Sequence, residues 1–289
     1  MASGGVAAMT ELAAGGKPFF LYLHFMGPHA SNPRLPGFEE RRGHFDSAIV
    51  DATQPLYEEI LNGRRAASAA DIDTIRALYD DAVWTGDQQI GQVLDAVSRA
   101  PQSGRTLVVF TSDHGETLGE PGYAFPRLGH GQALSEELLR VPLVVSGPGA
   151  PAGADTRIAE LVDLAPTLAT LVGVPVQPAW RWDGQALLGS ADVPGSAISE
   201  RAIWPARQVS ARTPTAAAVR SLGQGWQRLY DLRSDPHQQK PLVPTPELQV
   251  LLGDLERYVS TAKAPSAAGS QTQASPEEFE LLRSLGYVE

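Results

Sequence analysis

The chain has 289 residues, of which 43% are apolar and 19% charged, and it carries a formal net charge of −10. This composition is typical of a globular protein with one large domain, or with a large and a small one. The acidic balance argues against nucleic acid as a partner, because phosphate backbones require a basic surface. No apolar run approaches the roughly 20 residues that cross a bilayer, and the start lacks the pattern of a signal peptide. Cysteine is absent, which excludes disulfides and a cysteine nucleophile but assigns no compartment.

Strand-like and helix-like segments alternate over the first two thirds of the chain. They are expected to be a buried strand at 19–25, a helix from 71 to about 97, a strand at 105–111, a short helix at 135–140, a strand at 141–146 and a helix at 163–173. The polar stretch at 34–70 between them is expected to be an irregular surface excursion. This alternation predicts an α/β fold, with a mainly parallel sheet flanked by helices.

The sequence pattern changes near residue 200, and together with the short start this predicts that the chain has three parts. Residues 1–16 are expected to be a disordered start, and residues 17–200 an α/β core. Short β-like pieces separated by turns predict a small C-terminal α+β subdomain over 201–289. Within it, the Ala/Ser/Gln/Pro-rich stretch 264–275 reads as a linker, and 277–285 as a closing helix.

Candidate site residues lie in the loops that follow or flank the predicted strands. Asp113 and His114 come directly after the strand at 105–111, and Gly115 allows a sharp turn there. A carboxylate oxygen beside an imidazole nitrogen suits a divalent cation such as calcium, manganese or zinc. Taken alone, Asp-His-Gly favours a solvated turn. His29 and His130 favour a shared site instead, where histidines could donate to or protonate an anionic ester oxygen.

Several segments, in order, resemble the sulfatase branch of the alkaline-phosphatase superfamily. They are Pro18–His29, Thr106–Glu116, Gly129–Leu143, Val162–Leu168, Asp183–Leu188, Leu229–Pro236 and Leu282–Val288. The resemblance implies an alkaline-phosphatase-like fold and the hydrolysis of sulfate or phosphate esters. It implies that Asp113 and His114 are metal ligands, with calcium the first choice and manganese or zinc as alternatives. His29 would contact the sulfate or phosphate group, and His130 would take the place of the leaving-group donor. Members of the family are often periplasmic or secreted.

The chain departs from the family pattern at its beginning. Relatives start with a strand that ends in an Asp pair, followed by a Cys- or Ser-x-Pro-x-Arg motif that supplies the nucleophile, and neither occurs here. We therefore expect a truncated or split sulfatase with little activity alone, paired with a separate N-terminal half, and with an exposed edge or apolar face.

Two other functions stay open from the sequence. One is a phosphodiesterase or phosphonate ester hydrolase, because many calcium sulfatases have Asn in the place of His114. The other is a sulfatase-like binding protein that has lost catalysis.

Overall fold

The computed structural model describes residues 2–29, 54–61, 63–120, 128–175, 177, 179–188, 195–201 and 207–262. Its helices are α1 (Ala2–Ala14), α2 (Gln54–Leu61), α3 (Ala69–Arg99), α4 (Glu136–Leu139), α5 (Leu164–Leu171) and α6 (Pro246–Thr261). Its strands are β1 (Val108–Thr111), β2 (Thr117–Leu118), β3 (Leu128–Gly129), β4 (Leu143–Ser146), β5 (Ala197–Arg201), β6 (Gln208–Arg212), β7 (Ala216–Ser221) and β8 (Gln227–Asp231). In the described part of the chain, no helix is both long and apolar enough to span a membrane.

The long helix α3 agrees with the helix predicted from residue 71. It begins with a capping box, in which the Ser68 hydroxyl accepts the Asp71 N–H and the Asp71 carboxylate accepts the Ser68 N–H. This exchange satisfies donors that the first turn leaves without helical partners. Apolar side chains such as Ile72 and Ile75 recur at helical spacing and are buried, so one face of α3 forms part of the core.

Helix α1 corrects the predicted disordered start, because residues 2–14 are helical. Gly5 lies so close to its surroundings that a Cβ there would meet the Leu23 side chain at 3.0 Å and Val93 at 3.6 Å. Val93 belongs to α3, so a small residue allows α1 to approach that helix closely. The first residues are rich in glycine and alanine and carry few large apolar side chains, which concealed this packing.

The strands near the candidate site pair in antiparallel fashion. β1 pairs with β4, with Val109 opposite Val145, and β2 pairs with β3. The predicted α/β class is confirmed, whereas all strand pairs in the described residues are antiparallel and not parallel. The segment 19–25 is not a strand, and its Phe20 and Tyr22 side chains are 79% and 71% exposed. The apolar run therefore predicted a burial that these two side chains do not show.

The C-terminal region contains a four-stranded antiparallel meander in the order β5-β6-β7-β8. Its inward side chains include Val209 and Leu229, which are 0% and 2% exposed. The meander begins at Ala197, so it starts inside the predicted core, and the boundary at 200–201 stays a prediction. By internal contacts the chain divides into units of residues 1–255 and 256–289; only 256–262 of the second are described, and they end α6.

Two further predictions fall entirely on residues outside the described ranges. These are the linker at 264–275 and the closing helix at 277–285. The irregular surface excursion was predicted over 34–70. Residues 34–53 of it lie outside the described ranges, and the rest contains the helix α2 and the start of α3. The expectation of irregular structure is therefore wrong for those residues.

Candidate active site

The end of β1 carries Asp113 and His114 in a hydrogen-bonded turn. The Ser112 hydroxyl donates to the His114 carbonyl at 2.7 Å, and the His114 N–H donates to Asp113 Oδ1 at 3.0 Å. His114 Nδ1 lies 2.9 Å from the Gly115 carbonyl oxygen. A carbonyl only accepts hydrogen bonds, so Nδ1 carries the hydrogen and Nε2 keeps its lone pair. The turn thus fixes both the orientation and the tautomer of this imidazole.

Gly115 lets this turn press against helix α4. Its N–H donates to the Leu138 carbonyl at 2.9 Å, and a Cβ at this position would lie 1.9 Å from the Glu137 carbonyl oxygen. Any side chain would therefore force α4 away from the strand end. The glycine is required by this close approach of two backbones.

His130 lies at the centre of a cluster of three imidazoles. Its ring centroid is 4.1 Å from that of His114 and 5.0 Å from that of His29. The neighbouring Gly131 carbonyl accepts a hydrogen bond from Arg201 on β5. Three segments far apart in sequence thus bring together three of the four site residues that the sequence predicts.

The carboxylate of Glu116, which was not predicted as a site residue, orients His130. Glu116 Oε2 lies 3.2 Å from His130 Nδ1, and the Glu116 side chain is only 5% exposed. Glu116 stands two residues after His114, inside the quoted strand-end segment. Its buried position depends on the pairing of β2 with β3, which the sequence pattern did not predict.

The buried surroundings of Glu116 include a second polar group that the sequence analysis passed over. Glu116 Oε1 and the Tyr57 hydroxyl are both buried, and neither has a hydrogen-bond partner among the described residues. A Cβ on Gly129 would lie 2.8 Å from the Tyr57 hydroxyl and 3.5 Å from Glu116 Oε1. Burial, together with the nearby Glu116 charge, raises the pKa of Tyr57. Tyr57 lies in α2, where an irregular segment was expected, so no sequence signal pointed to it.

The pKa values of His29 and His130 shift in opposite directions. Burial lowers the pKa of His29, and the neighbouring His130 lowers it further. The hydrogen bond to Glu116 raises the pKa of His130 against the opposing effect of burial. Near neutral pH, His130 is therefore the better proton donor, whereas His29 favours the neutral imidazole.

Asp113 and His114 offer a partial set of metal ligands. The Asp113 side chain is 59% exposed, and its Oδ2 lies 3.8 Å from His114 Nε2, which is too far for a hydrogen bond. An imidazole whose other nitrogen donates to a backbone carbonyl is the usual arrangement of a metal-binding histidine. The described residues contain no group of three or more His, Asp or Glu side chains placed to hold a metal ion. These two residues therefore fit a divalent cation in donor chemistry and orientation, and they supply two ligands.

Comparisons with known proteins agree with this fold. The choline-sulfatase of Rhizobium meliloti is 30% identical over a region that covers 55% of this chain and 31% of that relative. A putative sulfatase from Bacteroides thetaiotaomicron superposes with a TM-score of 0.56 at 23% identity, covering 68% of this chain and 45% of that one. The phosphonate monoester hydrolase SpPMH from Silicibacter pomeroyi gives 0.60 at 20% identity, covering 85% and 53%.

The likeness to these solved structures shows that the chain has their α/β fold. Residues 6–174, more than half of the chain, match the sulfatase family. The chain belongs to the sulfatase family. Sulfatases generally use a divalent metal. The chain spans about a third of the curated relative and about half of the solved neighbours. The activity of the whole protein is therefore a matter for proposal.

Proposed function

We propose that His29, His114 and His130, with Asp113, form the ester-binding part of a metal-dependent centre that hydrolyses sulfate esters. The observation that carries this proposal is the contact of three imidazole rings from three separate segments. Imidazoles from separate segments that meet in a half-buried position are typical of functional sites. A sulfate ester supplies the anion, and sulfatase relatives make it the first substrate class to test.

His130 acts as the proton donor to the leaving group. Glu116 accepts the hydrogen on Nδ1, so the protonated ring presents its Nε2 hydrogen to the substrate side. The raised pKa of His130 keeps that proton available near neutral pH. A donor with this protonation state accelerates departure of an alkoxide-like oxygen.

His29 binds the sulfate group as a neutral hydrogen-bond donor. Its lowered pKa disfavours a second imidazolium next to His130, which avoids like-charge repulsion inside the cluster. A neutral imidazole can still donate from one nitrogen to an ester oxygen. The two histidines therefore have different roles: His29 orients the ester, and His130 transfers a proton.

Asp113 and His114 would hold a divalent cation, with calcium as the first candidate and manganese or zinc as alternatives. When bound, the cation would neutralise charge on the ester oxygens. The hydrogen bond from His114 Nδ1 to the Gly115 carbonyl keeps Nε2 oriented with its lone pair outward. The Asp113 carboxylate lies close enough for both side chains to face one ion.

The nucleophile is the part of the reaction for which this chain shows no candidate. There is no cysteine, and no Ser-x-Pro-x-Arg or Thr-x-Pro-x-Arg string occurs in the 289 residues. We therefore expect the chain to bind sulfate esters and metal, and to hydrolyse the esters only slowly when assayed alone, with water as the attacking nucleophile. Neither the described structure nor the relatives support the separate N-terminal partner that the resemblance suggested, and we do not propose one.

Hydrolysis of phosphonate or phosphate esters is the second candidate. It is supported by the fold shared with a phosphonate monoester hydrolase and by the imidazole at position 114. A non-catalytic binding protein is the third candidate, and the ordered His130–Glu116 pair argues against it, since a binding role alone does not require a positioned proton donor.

The test is a comparison of 4-nitrocatechol sulfate, 4-nitrophenyl phosphate and a phenylphosphonate monoester as ligands and substrates of the purified chain. Calorimetry and hydrolysis would be measured with calcium, manganese or zinc. We expect the aryl sulfate to bind most tightly, and His130→Gln to slow its hydrolysis by roughly 100-fold. His24→Gln is the matched control, because its ring contacts Tyr22 and not the cluster. Absence of binding to all three esters would refute the proposal, and a preference for the phosphonate would establish the second candidate.

A further inference from the structure

Helix α4, which supports the strand end at Gly115, is too short to be stable by itself. It has four residues, and the side chain of its N-cap residue Ser135 makes no capping hydrogen bond. A single helical turn loses more conformational entropy than its few hydrogen bonds return. Contacts from elsewhere in the chain must therefore hold α4 in place.

Those contacts come from the C-terminal meander and the loop that follows it. The Gln238 side-chain oxygen accepts the N–H of Glu136, the first residue of α4, at 2.9 Å, and this donor has no partner within the helix. The Glu136 carboxylate pairs with Arg212 on β6. His237 Nδ1 lies 2.7 Å from Glu137 Oε1. Three side chains from the meander and the loop after it thus contact the first turn of α4.

Gln238 has a backbone conformation that its side-chain bond explains. Among the described residues it is the one non-glycine residue with positive φ, at 51°, and it is only 8% exposed. Its N–H donates to the Asp235 carbonyl at 3.1 Å, while the Asp235 carboxylate accepts the N–H groups of Gln239 and Lys240 at 2.9 and 2.8 Å. Such a conformation persists only where the surroundings hold it, and here it directs the amide to α4.

The opposite side of α4 touches the candidate active site. The Leu138 carbonyl accepts the Gly115 N–H, and the Glu137 carbonyl lies against the Gly115 Cα. Gly115 in turn accepts the hydrogen bond that orients the His114 ring. The contacts are therefore continuous from Gln238, through α4, to the metal-binding turn.

We propose that Gln238 is a positioning residue, whose side-chain carbonyl fixes α4 and thereby the orientation of the Asp113–His114 turn. The loop that follows the C-terminal meander thus has a role at the candidate active site without contributing a group that touches substrate. The structural part of this inference is independent of the reaction. Its kinetic consequence rests on the proposed sulfate-ester hydrolysis.

Amide hydrogen exchange of the ¹⁵N-labelled full chain separates the two parts of the inference. Gln238→Asn is the informative variant: asparagine tolerates positive φ better than glutamine, but its shorter side chain does not reach the Glu136 N–H. We expect the Gly115 amide to exchange about tenfold faster in Gln238→Asn, as for the loss of one hydrogen bond. Gln224→Asn is the matched control, because Gln224 is exposed and its side chain accepts from Trp226; the Gly115 amide should be unchanged in it.

An unchanged Gly115 amide in Gln238→Asn, with the rest of the spectrum native, would overturn the inference. If Gln238→Asn does not fold, Gln238→Gly replaces it, because glycine adopts the positive φ of this position freely and also lacks the side-chain oxygen. The same faster exchange at Gly115 is expected there, and an unchanged amide would again contradict the inference.

The kinetic readout is the split between kcat and KM for 4-nitrocatechol sulfate. A residue that positions the metal-binding turn should lower kcat in Gln238→Asn several-fold with little change in KM. Equal values for the variant and the unmodified chain would refute positioning. A chain that shows no turnover at all would count against the proposed function, while the exchange result would still decide the role of Gln238.

Discussion

His130 Nδ1 lies 3.2 Å from Oε2 of a Glu116 carboxylate that is 5% exposed. This pair connects the two loops that close the site, since Glu116 precedes β2 and His130 follows β3. A buried carboxylate that accepts from an imidazole stabilises the protonated ring. The pair explains how a histidine beside two other imidazoles can keep its proton.

Replacing Glu116 by Gln should lower the pKa of His130, because the charged acceptor is lost. The pKa of His130 is raised in the folded protein, so its contribution to stability is complete below the unfolded value. That contribution disappears as pH rises through the folded value. NMR titration of the His130 ring in metal-free protein measures the shift directly. Glu120→Gln is the control, since that carboxylate accepts the Leu118 N–H. If the pKa of His130 fell by a similar amount in Glu120→Gln, the assignment of Glu116 as its charged partner would be contradicted.

Gly115→Ala should destabilise the protein by about 2 kcal/mol, as for forced overpacking. The added Cβ would overlap the Glu137 carbonyl oxygen at 1.9 Å. Gly104→Ala is the matched control, because nothing lies within 4 Å of a Cβ there. Urea unfolding of both variants tests the prediction. Equal midpoints for the two would show that α4 does not press on the strand end.

Ser68→Ala should cost about 1 kcal/mol by removing the cap of α3. The backbone and side-chain hydrogen bonds of Ser68, together with Arg65, lower the pKa of Asp71. A lowered folded pKa contributes stability above the unfolded value, and this is lost as pH falls through the folded one. The cost of Ser68→Ala should therefore shrink in acid. Thermal unfolding at several pH values measures this loss of stability. Ser98→Ala is the control, from the exposed end of α3. A stability loss in Ser68→Ala that does not depend on pH would count against the capping box.

Asp113→Asn should weaken the binding of calcium or manganese at least tenfold, because a neutral amide replaces the charged ligand. Asp183→Asn serves as a control from outside the cluster and should leave the isotherm unchanged. Calorimetric titration of both variants decides the point. Unchanged affinity in Asp113→Asn would remove Asp113 from the metal site.

The sequence predicted the helices α3, α4 and α5 and the strands β1 and β4, but not the helices α1, α2 and α6. The helix over 71–97, the strands ending near Thr111 and Ser146, and the site residues His29, Asp113, His114 and His130 follow from local signals such as periodicity, glycine turns and strand ends. Such signals are encoded by neighbouring residues, and the structure places three of the predicted histidines together.

Pairings between distant segments were not predictable in this way. An apolar run such as 19–25 does not reveal whether a partner strand exists. In the structure this run is not a strand, and the side chain of its Phe20 is 79% exposed. The carboxylate of Glu116 and the hydroxyl of Tyr57 become site neighbours only through tertiary packing. The same holds for Gln238, which acts on a helix about 100 residues earlier.

The central claim is that His29, His114 and His130 form one ester-binding cluster. The most direct measurement records the ring ¹⁵N shifts of the six histidines while 4-nitrocatechol sulfate is added to the metal-loaded chain. We predict that the rings of His29, His114 and His130 shift along one binding curve, while those of His24 and His237 do not follow it. Shifts confined to other histidines, or no saturable shift in the three, would contradict the claim.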